Sequence, residues 1–403
     1  MFFAFSTLLL HNSLMPYRYA IIGTGRQGLA AAYDIGQHGE AEEIRLYDLS
    51  ADIAQKGAER INQLLPGNLA SGFPLDASHS GALESTLSGV HATISAVPFQ
   101  LNPLICKIAV AKGSSFCDLG GHTETVREQL KLDPEAKKAG VTVTPDCGMG
   151  PGLNISLGVY SMSLIEEPEE VLIYDAGLPE NPKPPWNYQL TFNINGLTNE
   201  YYGNAVFLRK GKVTEVPCLT ETEFLEFPSP LGKLEAAVTS GGLSTAPWTF
   251  QNVNLQRLEN KTLRYPGHWD QFKAFQQLGL FEESKVMFDG SSIAPRDFYH
   301  HLLEPKITND ATRDICVIRV ICRGKSNGLP TTCTLDLVER YDKATGFTAM
   351  EKLTGWHAAM IAILSAKGEV PRGGVPVESV LTSEQIAREC YKRGWDIRNT
   401  TTI

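Results

Sequence analysis

The feature of this chain that most constrains its fold is a glycine motif between a predicted strand and a predicted helix. Gly23, Gly25 and Gly28 form the pattern G-T-G-R-Q-G at the end of the apolar run RYAIIG. The first glycine permits a tight turn, the second lets the backbone approach a pyrophosphate, and the third lets the helix pack closely on the strand. A second apolar run, EIRLYD, ends at Asp48, where a carboxylate can bind both hydroxyls of a ribose. The motif and its spacing predict a dinucleotide-binding domain.

The residues of this glycine loop and of the neighbouring strand ends are the expected cofactor contacts. The Asp48 carboxylate would repel a 2′-phosphate, so NAD is expected rather than NADP, but Arg26 beside the loop would tolerate that phosphate. Val97 and Pro98 end a predicted strand and would lie over the nicotinamide side of the cleft. An equal alternative is that Pro98 merely ends the strand and has no role in binding the cofactor. The predicted cofactor contacts are Gly23, Thr24, Gly25, Arg26, Gln27, Gly28, Asp48, Val97 and Pro98.

The alternation of short apolar runs with helical patterns predicts the fold class, because it is typical of βαβ units and a parallel sheet. Further strands are expected at residues 91–98, 114–120 and 141–146, with helices at 27–36, 51–65 and 103–112 and another from about 154. From about Val171, longer stretches alternate apolar and polar residues, which favours half-exposed antiparallel strands. The chain is therefore expected to be an α/β protein with a Rossmann-type doubly wound parallel sheet and a second domain of α+β type.

Charge and cysteine usage disfavour several function classes. The 36 Lys and Arg residues are outnumbered by 45 Asp and Glu residues, which gives a net charge of -9, whereas nucleic-acid binding needs a basic footprint. No stretch approaches the ~20 apolar residues that cross a bilayer. None of the eight cysteines forms a CxxC pair or a zinc-finger spacing, so we expect no metal and a reducing, cytoplasmic location. Residues 1–14 lack a basic start and a small-residue cleavage site, so they are expected to be an extension rather than a secretion signal.

Two predicted strands end in acidic, glycine-rich turns. Asp118 begins D-L-G-G-H and places a carboxylate and His122 where a cofactor ring is expected. Asp118, assisted by His122, is therefore a candidate base for proton transfer. Asp146 begins D-C-G-M-G-P-G, a turn whose glycines let the backbone approach a ligand closely. The alternative for each acid is a structural role, in which the carboxylate caps its own turn.

The second domain offers candidates for binding a substrate carboxylate. Thr239 and Ser240 begin the loop T-S-G-G-L-S-T, whose hydroxyls suit a carboxylate but are equally common in plain turns. The stretch K-T-L-R-Y-P-G-H carries Arg264 and His268. An arginine donates two parallel hydrogen bonds to a carboxylate. Arg264 is therefore the predicted clamp, with a charged residue on a solvated strand as the alternative.

Seven motifs, taken in order, carry a family resemblance. They are G-T-G-R-Q-G, D-L-G-G-H, P-D-C-G-M-G-P-G, N-P-K-P-P-W-N-Y, T-S-G-G-L-S-T, K-T-L-R-Y-P-G-H and R-D at 296–297. Together they resemble the saccharopine dehydrogenase-like family, and within it the L-lysine 6-dehydrogenases. The resemblance runs from about Tyr17 to the C-terminal helices. Relatives close to saccharopine reductase carry a hydroxyl-rich sequence in place of D-L-G-G-H, and this departure disfavours saccharopine as the substrate.

The resemblance also implies a domain organisation and an assembly. It implies an NAD-binding Rossmann domain over residues 15–150, completed by C-terminal helices in 354–403, with a substrate-binding and oligomerisation domain of α+β type inserted over 151–353. It further implies a homo-oligomer, at least a dimer, and an amino acid as the small-molecule substrate. The substrate contacts predicted from the motifs are Tyr188, Thr239, Ser240, Arg264 and His268.

The reaction that the resemblance implies is NAD-dependent oxidative deamination of the ε-amine of L-lysine. NAD accepts a hydride, and the imine is hydrolysed to ammonia and allysine, which cyclises to a piperideine carboxylate. The amine must be neutral at the moment of transfer, so a base near Cε is required. Two alternatives stay open. One is an NADP-dependent reductive condensation of saccharopine or carboxynorspermidine type, and the other is an NAD-binding protein without catalysis.

Overall fold

The computed structural model describes residues 16–309 and 313–403, so the extension predicted over 1–14 lies outside the described residues. The first part of the chain contains β1 (Tyr17–Ile22), α1 (Arg26–His38), β2 (Ala41–Asp48), α2 (Ala51–Leu64), β3 (Ala70–Pro74), α3 (Ser80–Thr86), β4 (Ala92–Ser95), α4 (Asn102–Ala111), β5 (Ser115–Asp118), α5 (Thr123–Leu130), α6 (Asp133–Ala139), β6 (Thr142–Thr144) and α7 (Leu153–Met162).

The remaining elements follow in two groups. The central part of the chain contains β7 (Glu167–Pro179), α8 (Ile194–Glu200), β8 (Asn204–Arg209), β9 (Lys212–Pro217), β10 (Glu223–Phe227), β11 (Gly232–Val238), α9 (Ala246–Phe250), β12 (Arg257–Arg264), α10 (His268–Gln277), β13 (Val286–Phe288), β14 (Ser291–Ile293), α11 (Pro295–Ile307), β15 (Asp314–Ser326) and β16 (Leu329–Arg340). The last part contains α12 (Ala349–Lys367), β17 (Gly373–Gly374), α13 (Val377–Val380), α14 (Ser383–Lys392) and β18 (Ile397–Thr402).

Seven parallel strands form the first sheet, in the order β17-β6-β5-β4-β1-β2-β3. The strand order reverses between β1 and β4, which opens a crevice at the carboxyl ends of the strands, where open α/β sheets bind their ligands. Helix α12 lies directly against α1, because Gly355 has no side chain: a Cβ there would lie 2.6 Å from the backbone oxygen of Gln27. The structure confirms the predicted fold class.

Nine strands form the second sheet. Its main path is β10-β11-β12-β7-β15-β16-β18, and the hairpin of β8 and β9 pairs with β12. On one face, Ile173 and Ile318 belong to the same core as Leu353 of α12. We call this the inner face, because it packs against the nucleotide-binding part of the chain. The opposite face, with Leu172 and Leu263, has a core of its own.

The register of the second sheet decides which polar residues reach its inner face. Strands β7 and β12 run parallel, with Asp175 opposite Thr262 and Ile173 opposite Asn260. Since alternate residues of a strand point to the same face, Asn260, Thr262 and Arg264 lie on the inner face together with Asp175. A buried polar row therefore runs along the face that meets the nucleotide-binding part.

A small helical cap, formed by α8, α10, α11 and the chain around Tyr188, lies beside the end of β12. Its core is largely aromatic and contains Tyr188, Tyr201, Trp269 and Phe272. The aromatic residues surround the end of the polar row described above. The helical cap, the inner face and the strand ends of the first sheet thus meet in one region.

The C-terminal segment contributes to both sheets. β17 extends the first sheet beside β6, and the side chain of Arg393 binds that of Asp34 on α1, with 2.6 Å between Nη2 and Oδ2. β18, however, pairs with β16 of the second sheet. The assignment of 354–403 to the first domain did not anticipate this strand, since its sequence IRNTTT offers no apolar alternation. None of the helices in residues 16–309 and 313–403 is long and apolar enough to cross a bilayer.

Candidate functional site

The glycine loop between β1 and α1 has the geometry of an anion cradle. Gly23 has a φ of +101°, and a Cβ there would lie 2.5 Å from the backbone oxygen of Ala96. At Gly28 a Cβ would lie 2.0 Å from the oxygen of Gly23. The N-terminus of α1 carries no side-chain cap, so its N–H groups are left for a ligand phosphate. These features fit the pyrophosphate of a dinucleotide.

Asp48 is fixed at the mouth of this loop. Its Oδ2 accepts a hydrogen bond from the N–H of Thr24 at 3.1 Å, and its Oδ1 accepts one from the N–H of Ser50 at 3.2 Å. An ionised carboxylate has about four acceptor positions, so Asp48 can still accept both ribose hydroxyls. Arg26 lies half-buried in the first turn of α1. Gln27 reaches the second domain, with its Nε2 at 3.5 Å from the oxygen of Thr191.

The end of β4 meets the end of β5 at the same edge of the sheet. Val97 is half-buried and Pro98 is exposed. The next residue, Phe99, stacks on the ring of His122, with centroids 4.7 Å apart and planes at 6°. The residues predicted to flank the nicotinamide are therefore neighbours of the D-L-G-G-H turn.

Asp118, the predicted base, is held by three hydrogen bonds at the end of β5. Its side chain is buried, and Oδ1 accepts hydrogen bonds from the N–H groups of Gly120 and Asp146 at 2.9 and 3.0 Å. Oδ2 accepts from Nε2 of Gln129 at 2.7 Å. Burial raises the pKa of Asp118 and these three hydrogen bonds oppose the rise. The carboxylate ties the ends of β5 and β6 together.

His122, predicted to assist Asp118, is exposed and also has a structural contact. It is the N-cap of α5, where Nδ1 accepts from the N–H of Thr125 at 3.3 Å. A neutral imidazole has one acceptor nitrogen, and here that nitrogen is engaged with the backbone. In this arrangement His122 holds the start of α5 and presents its ring to Phe99.

Asp146 is the more unusual of the two strand-end acids. It has a φ of +62°, is 1% exposed, and its Oδ1 has no hydrogen-bond partner among the described residues. Burial, followed by the negative charge of Asp118, raises the pKa of Asp146 to about 7. Gly120 must be a glycine here, because a Cβ would lie 2.1 Å from the Asp146 Oδ1.

Arg264 lies at the end of the polar row on the inner face, 3% exposed. Its Nε donates to the hydroxyl of Tyr201 at 3.0 Å, and its Nη1 donates to the oxygen of Leu263 at 3.0 Å. The guanidinium carbon lies 5.1 Å from the ring centroid of Tyr188. Nη2 lies 3.9 Å from Oε2 of Glu200. The predicted carboxylate clamp is therefore held in position from several sides.

His268 is buried close to this arginine, on the far side of Tyr201. Its Nε2 is 3.0 Å from the hydroxyl of Tyr201, and its ring stacks on Phe272 with centroids 4.2 Å apart. Burial and the charge of Arg264 hold the pKa of His268 well below its ordinary value. A neutral, buried His268 supports Tyr201, and its direct contact with a substrate stays a prediction.

The two predicted hydroxyl contacts are engaged in the scaffold. Thr239 Oγ1 lies 2.7 Å from Oγ1 of Thr262, and Ser240 Oγ donates to the oxygen of Asn199 at 2.7 Å. These hydrogen bonds connect the end of β11 to β12 and to α8. The T-S-G-G-L-S-T loop thus shapes the site, while its first two hydroxyls already have partners.

Asp175 is a central acid of the region that the sequence reasoning missed. Its Oδ2 accepts from Nδ2 of Asn154 at 2.9 Å and from Nδ2 of Asn260 at 3.0 Å. A Cβ at Gly150 would lie 2.7 Å from the same oxygen, so Asp175 touches the first domain directly. Burial raises the pKa of Asp175 to about 6. The D-C-G-M-G-P-G motif contained a signal for this contact, since its glycines imply a close neighbour.

Glu200, at the end of α8, is the second acid that the sequence did not single out. Its side chain is 30% exposed and lies 3.9 Å from Arg264. Desolvation raises the pKa of Glu200 to about 7, and the charge of Arg264 opposes this rise. The region between the two domains thus combines the Arg264 cation with the carboxyls of Asp175 and Glu200.

The parallel sheet, the glycine cradle and the acid at the end of β2 define a two-domain protein with a Rossmann-type nucleotide-binding domain. Comparison with known families gives the narrower assignment. The model named saccharopine dehydrogenase NADP binding domain matches residues 19–144, and the model named saccharopine dehydrogenase C-terminal domain matches residues 148–394. The chain belongs to the saccharopine dehydrogenase family, as the sequence motifs predicted.

Curated relatives are distant and longer. The chain is 26% identical over 216 residues to the mitochondrial alpha-aminoadipic semialdehyde synthase of Bos taurus, a match that spans 50% of this chain and 23% of that protein. It is 24% identical over 275 residues to an NADP(+), L-glutamate-forming saccharopine dehydrogenase of Saccharomyces cerevisiae, across 65% of this chain and 60% of that protein. These names do not support the predicted closeness to lysine 6-dehydrogenases.

A solved structure shares the whole fold. The apo L-Glu-forming saccharopine dehydrogenase from Saccharomyces cerevisiae superposes with a TM-score of 0.75 at 19% sequence identity, covering 96% of this chain and 100% of that one. At this identity the likeness establishes the fold of both domains and their connection.

Proposed function

We propose that this protein is an amino-acid dehydrogenase that oxidises the ε-amine of L-lysine with NAD, giving NADH, ammonia and allysine, which cyclises to a piperideine carboxylate. The observation that carries this choice of substrate is the charge of the inner-face site. There the guanidinium of Arg264 is accompanied by the carboxyls of Asp175 and Glu200. A substrate with one carboxylate and two amines complements that arrangement, whereas a tricarboxylate such as saccharopine would place further negative charge beside the acids.

The nucleotide domain supplies the cofactor part of the site. The loop of Gly23, Gly25 and Gly28 would hold the pyrophosphate, and Asp48 would accept the ribose hydroxyls. Val97 and Pro98 would flank the nicotinamide, which when bound supplies the hydride acceptor. The fixed carboxylate of Asp48 supports NAD over NADP, because it would repel a 2′-phosphate.

The second domain orients the substrate in this proposal. Arg264 donates to the α-carboxylate, and its neighbours Tyr188 and Tyr201 hold the guanidinium in position. The α-carboxylate is distant from the reacting carbon, and the energy of binding it fixes the direction of the lysine side chain. When that side chain extends toward the nucleotide domain, its ε-carbon lies near the strand ends of the first sheet.

Asp175 replaces Asp118 as the proposed proton acceptor. Its Oδ2 is occupied by two amide donors, while no hydrogen bond to Oδ1 occurs within residues 16–309 and 313–403. It lies between Gly150 of the first domain and the Arg264 side of the site. With a pKa of about 6 raised by burial, the carboxylate is ionised above neutral pH and can take a proton from the amine at Oδ1.

A second candidate is an NADP-dependent reaction of saccharopine type, which the names of the relatives and of the matching family model favour. The deciding experiment measures NADH or NADPH formation at 340 nm with L-lysine, L-ornithine and saccharopine, each with NAD and with NADP. Turnover of lysine with NAD supports the proposal. Turnover of saccharopine with NADP contradicts it, and tight NAD binding without any turnover would indicate a non-catalytic binding protein.

Assembly and location complete the proposal. We propose a homo-oligomer, at least a dimer, supported by the hairpin of β13 and β14, where Met287 is 73% and Phe288 69% exposed. Light scattering on the purified protein tests this directly. The eight cysteines are all unpaired and buried, which supports a reducing, cytoplasmic location.

A further inference from the structure

The two members of the Arg264–Glu200 pair differ in how far they are exposed to solvent. Arg264 is almost completely buried, with 4% of its side chain exposed, whereas Glu200 keeps 30% of its side chain exposed. The two side chains are 3.9 Å apart at their nearest atoms, Nη2 and Oε2, longer than the 2.7–2.9 Å of a closed charge-assisted hydrogen bond. The two groups therefore lie close together without forming a closed pair, and with a pKa of about 7 the Glu200 carboxyl is ionised above neutral pH.

The backbone of Glu200 is fixed, so its carboxylate has a defined position. Its carbonyl oxygen accepts from the N–H of Ser240 at 2.8 Å, which ties the end of α8 to the end of β11. Helix α8 begins at Ile194, and the side chain of the preceding Asn193 accepts a hydrogen bond from the N–H of Gly196 at 2.7 Å. In the described part of the chain, the Glu200 carboxylate accepts no hydrogen bond, in contrast to that of Asp175, which accepts two.

An α-amino acid carries its own pair of neighbouring opposite charges. The carboxylate and the ammonium are attached to the same carbon, so a binding site must present a cation and an anion side by side. Arg264 and Glu200 present them in that way, and the burial of Arg264 strengthens charge–charge contacts. A lone arginine would instead accept any carboxylate, with or without an adjacent amine.

We propose that Glu200 binds the α-ammonium of the substrate while Arg264 binds its α-carboxylate, so that the pair selects α-amino acids over carboxylates that lack the α-amine. This inference rests on the proposed function only in requiring an amino-acid substrate. If Glu200 binds the α-ammonium, the protein should bind an α-amino acid more tightly than the same ligand without its α-amine. If Glu200 only neutralises the charge of Arg264, the protein should show no such preference.

The test compares binding of two matched ligand pairs by isothermal titration calorimetry. L-lysine is compared with 6-aminohexanoate, and L-glutamate with glutarate; within each pair the second ligand lacks only the α-amine. For at least one pair, the wild-type protein is expected to prefer the α-amino acid by about tenfold or more. In Glu200→Gln we expect that preference to shrink to about twofold or less, with the affinity for the desamino ligand unchanged.

Two results would overturn the role of Glu200. The first is an equal loss of affinity for both members of a pair in Glu200→Gln, which would mean that the acid only supports Arg264. The second is a wild-type protein that shows no preference for the α-amine, or binds neither lysine nor glutamate. Should Glu200→Gln fail to fold, Glu200→Asp decides: a reduced preference supports the proposal and an unchanged preference contradicts it.

A matched control and a separate readout keep this test distinct from that of the proposed reaction. Glu221→Gln removes an acid of the same domain that binds Arg209 through two hydrogen bonds of 2.7 and 2.9 Å, and it should leave all four affinities unchanged. Because binding is measured, a protein that selects the α-amine but does not oxidise lysine would contradict the proposed reaction while upholding the role of Glu200.

Discussion

The Oδ1 atom of Asp118 accepts a hydrogen bond from the backbone N–H of Asp146 at 3.0 Å, which joins the carboxyl ends of two neighbouring strands. The same oxygen accepts from the N–H of Gly120, and the other oxygen from Gln129. A carboxylate with three donors and almost no exposed surface is a structural connection at the edge of the site. It lies next to the glycine-rich turns, where the sequence motif predicts a base.

The first prediction contrasts Asp118 with Asp175. Asp118→Asn should lower the free energy of unfolding by about 1–3 kcal/mol, because an amide cannot accept from all three donors, and the pH dependence of turnover should keep its shape. Asp175→Asn should lower kcat by about 100-fold or more, as expected for loss of a proton acceptor. Urea unfolding and pH–rate profiles of both variants give the answer. A flattened pH profile in Asp118→Asn would restore that residue as the base.

The second prediction concerns the choice between NAD and NADP. Asp48→Asn keeps the size of the side chain but removes the charge that would repel a 2′-phosphate. We expect the ratio of NAD affinity to NADP affinity to fall about tenfold, in line with the loss of charge-assisted hydrogen bonds. Fluorescence titration with the two reduced cofactors measures the ratio. Asp52→Asn, at an exposed acid paired with Lys56, is the control, and a similar change there would argue against Asp48.

The third prediction concerns the geometry of the clamp. Arg264→Lys retains the positive charge but loses the planar fork that donates two parallel hydrogen bonds. The lysine KM should rise about 10- to 100-fold, while the affinity for NADH stays unchanged, since Arg264 belongs to the second domain. Steady-state kinetics and NADH titration separate the two effects. An unchanged KM would show that the α-carboxylate binds elsewhere.

The fourth prediction follows from the raised pKa of Asp146. Burial lifts the pKa to about 7 from an ordinary value of 3.8, so the native state binds a proton more tightly than the unfolded chain. The stability that this provides is complete below about pH 4 and is lost as the pH rises through about 7. Asp146→Asn, which tolerates the positive φ, should therefore raise the melting temperature more at pH 8 than at pH 5.

A matched control for that prediction is an exposed aspartate with similar backbone geometry. Asp289 has a φ of +47° and is exposed. Asp289→Asn should change the melting temperature equally at the two pH values. Equal shifts at pH 5 and pH 8 in Asp146→Asn as well would mean that the Asp146 carboxyl is not perturbed by burial.

The fifth prediction concerns the attachment of the C-terminal segment to the first domain. Arg393 and Asp34 form a buried ion pair, with 0% and 1% of their side chains exposed. Arg393→Met should lower the free energy of unfolding by about 3–5 kcal/mol, because Asp34 and Glu389, whose Oε2 lies 2.7 Å from Nη1 of Arg393, both lose this partner. The double variant with Asp34→Asn should recover part of the loss, because it removes one of the two unpaired charges. Urea titration measures both, and a double variant as unstable as the single one would contradict the pairing argument.

The structure shows what each predicted site residue contacts, and the roles of these residues stay predictions. Arg264 was singled out as a carboxylate clamp, and it lies buried beside Tyr188, another predicted residue. His268, by contrast, supports Tyr201 from behind, and His122 caps a helix. Each of these roles depends on what the side chain touches, and those neighbours are distant in the sequence.

The sequence by itself determined the glycine cradle, the acid at the end of β2 and the alternation of strands and helices, because these features depend on backbone conformation and periodicity within about thirty residues of chain. Only the tertiary structure decided that Asp175 lies opposite Thr262 and that Glu200 approaches Arg264. Those contacts depend on the register of β7 against β12 and on the packing of α8 over that sheet. Because such long-range pairings bring together residues dozens of positions apart, burial and hydrogen bonding at the site cannot be deduced from local pattern.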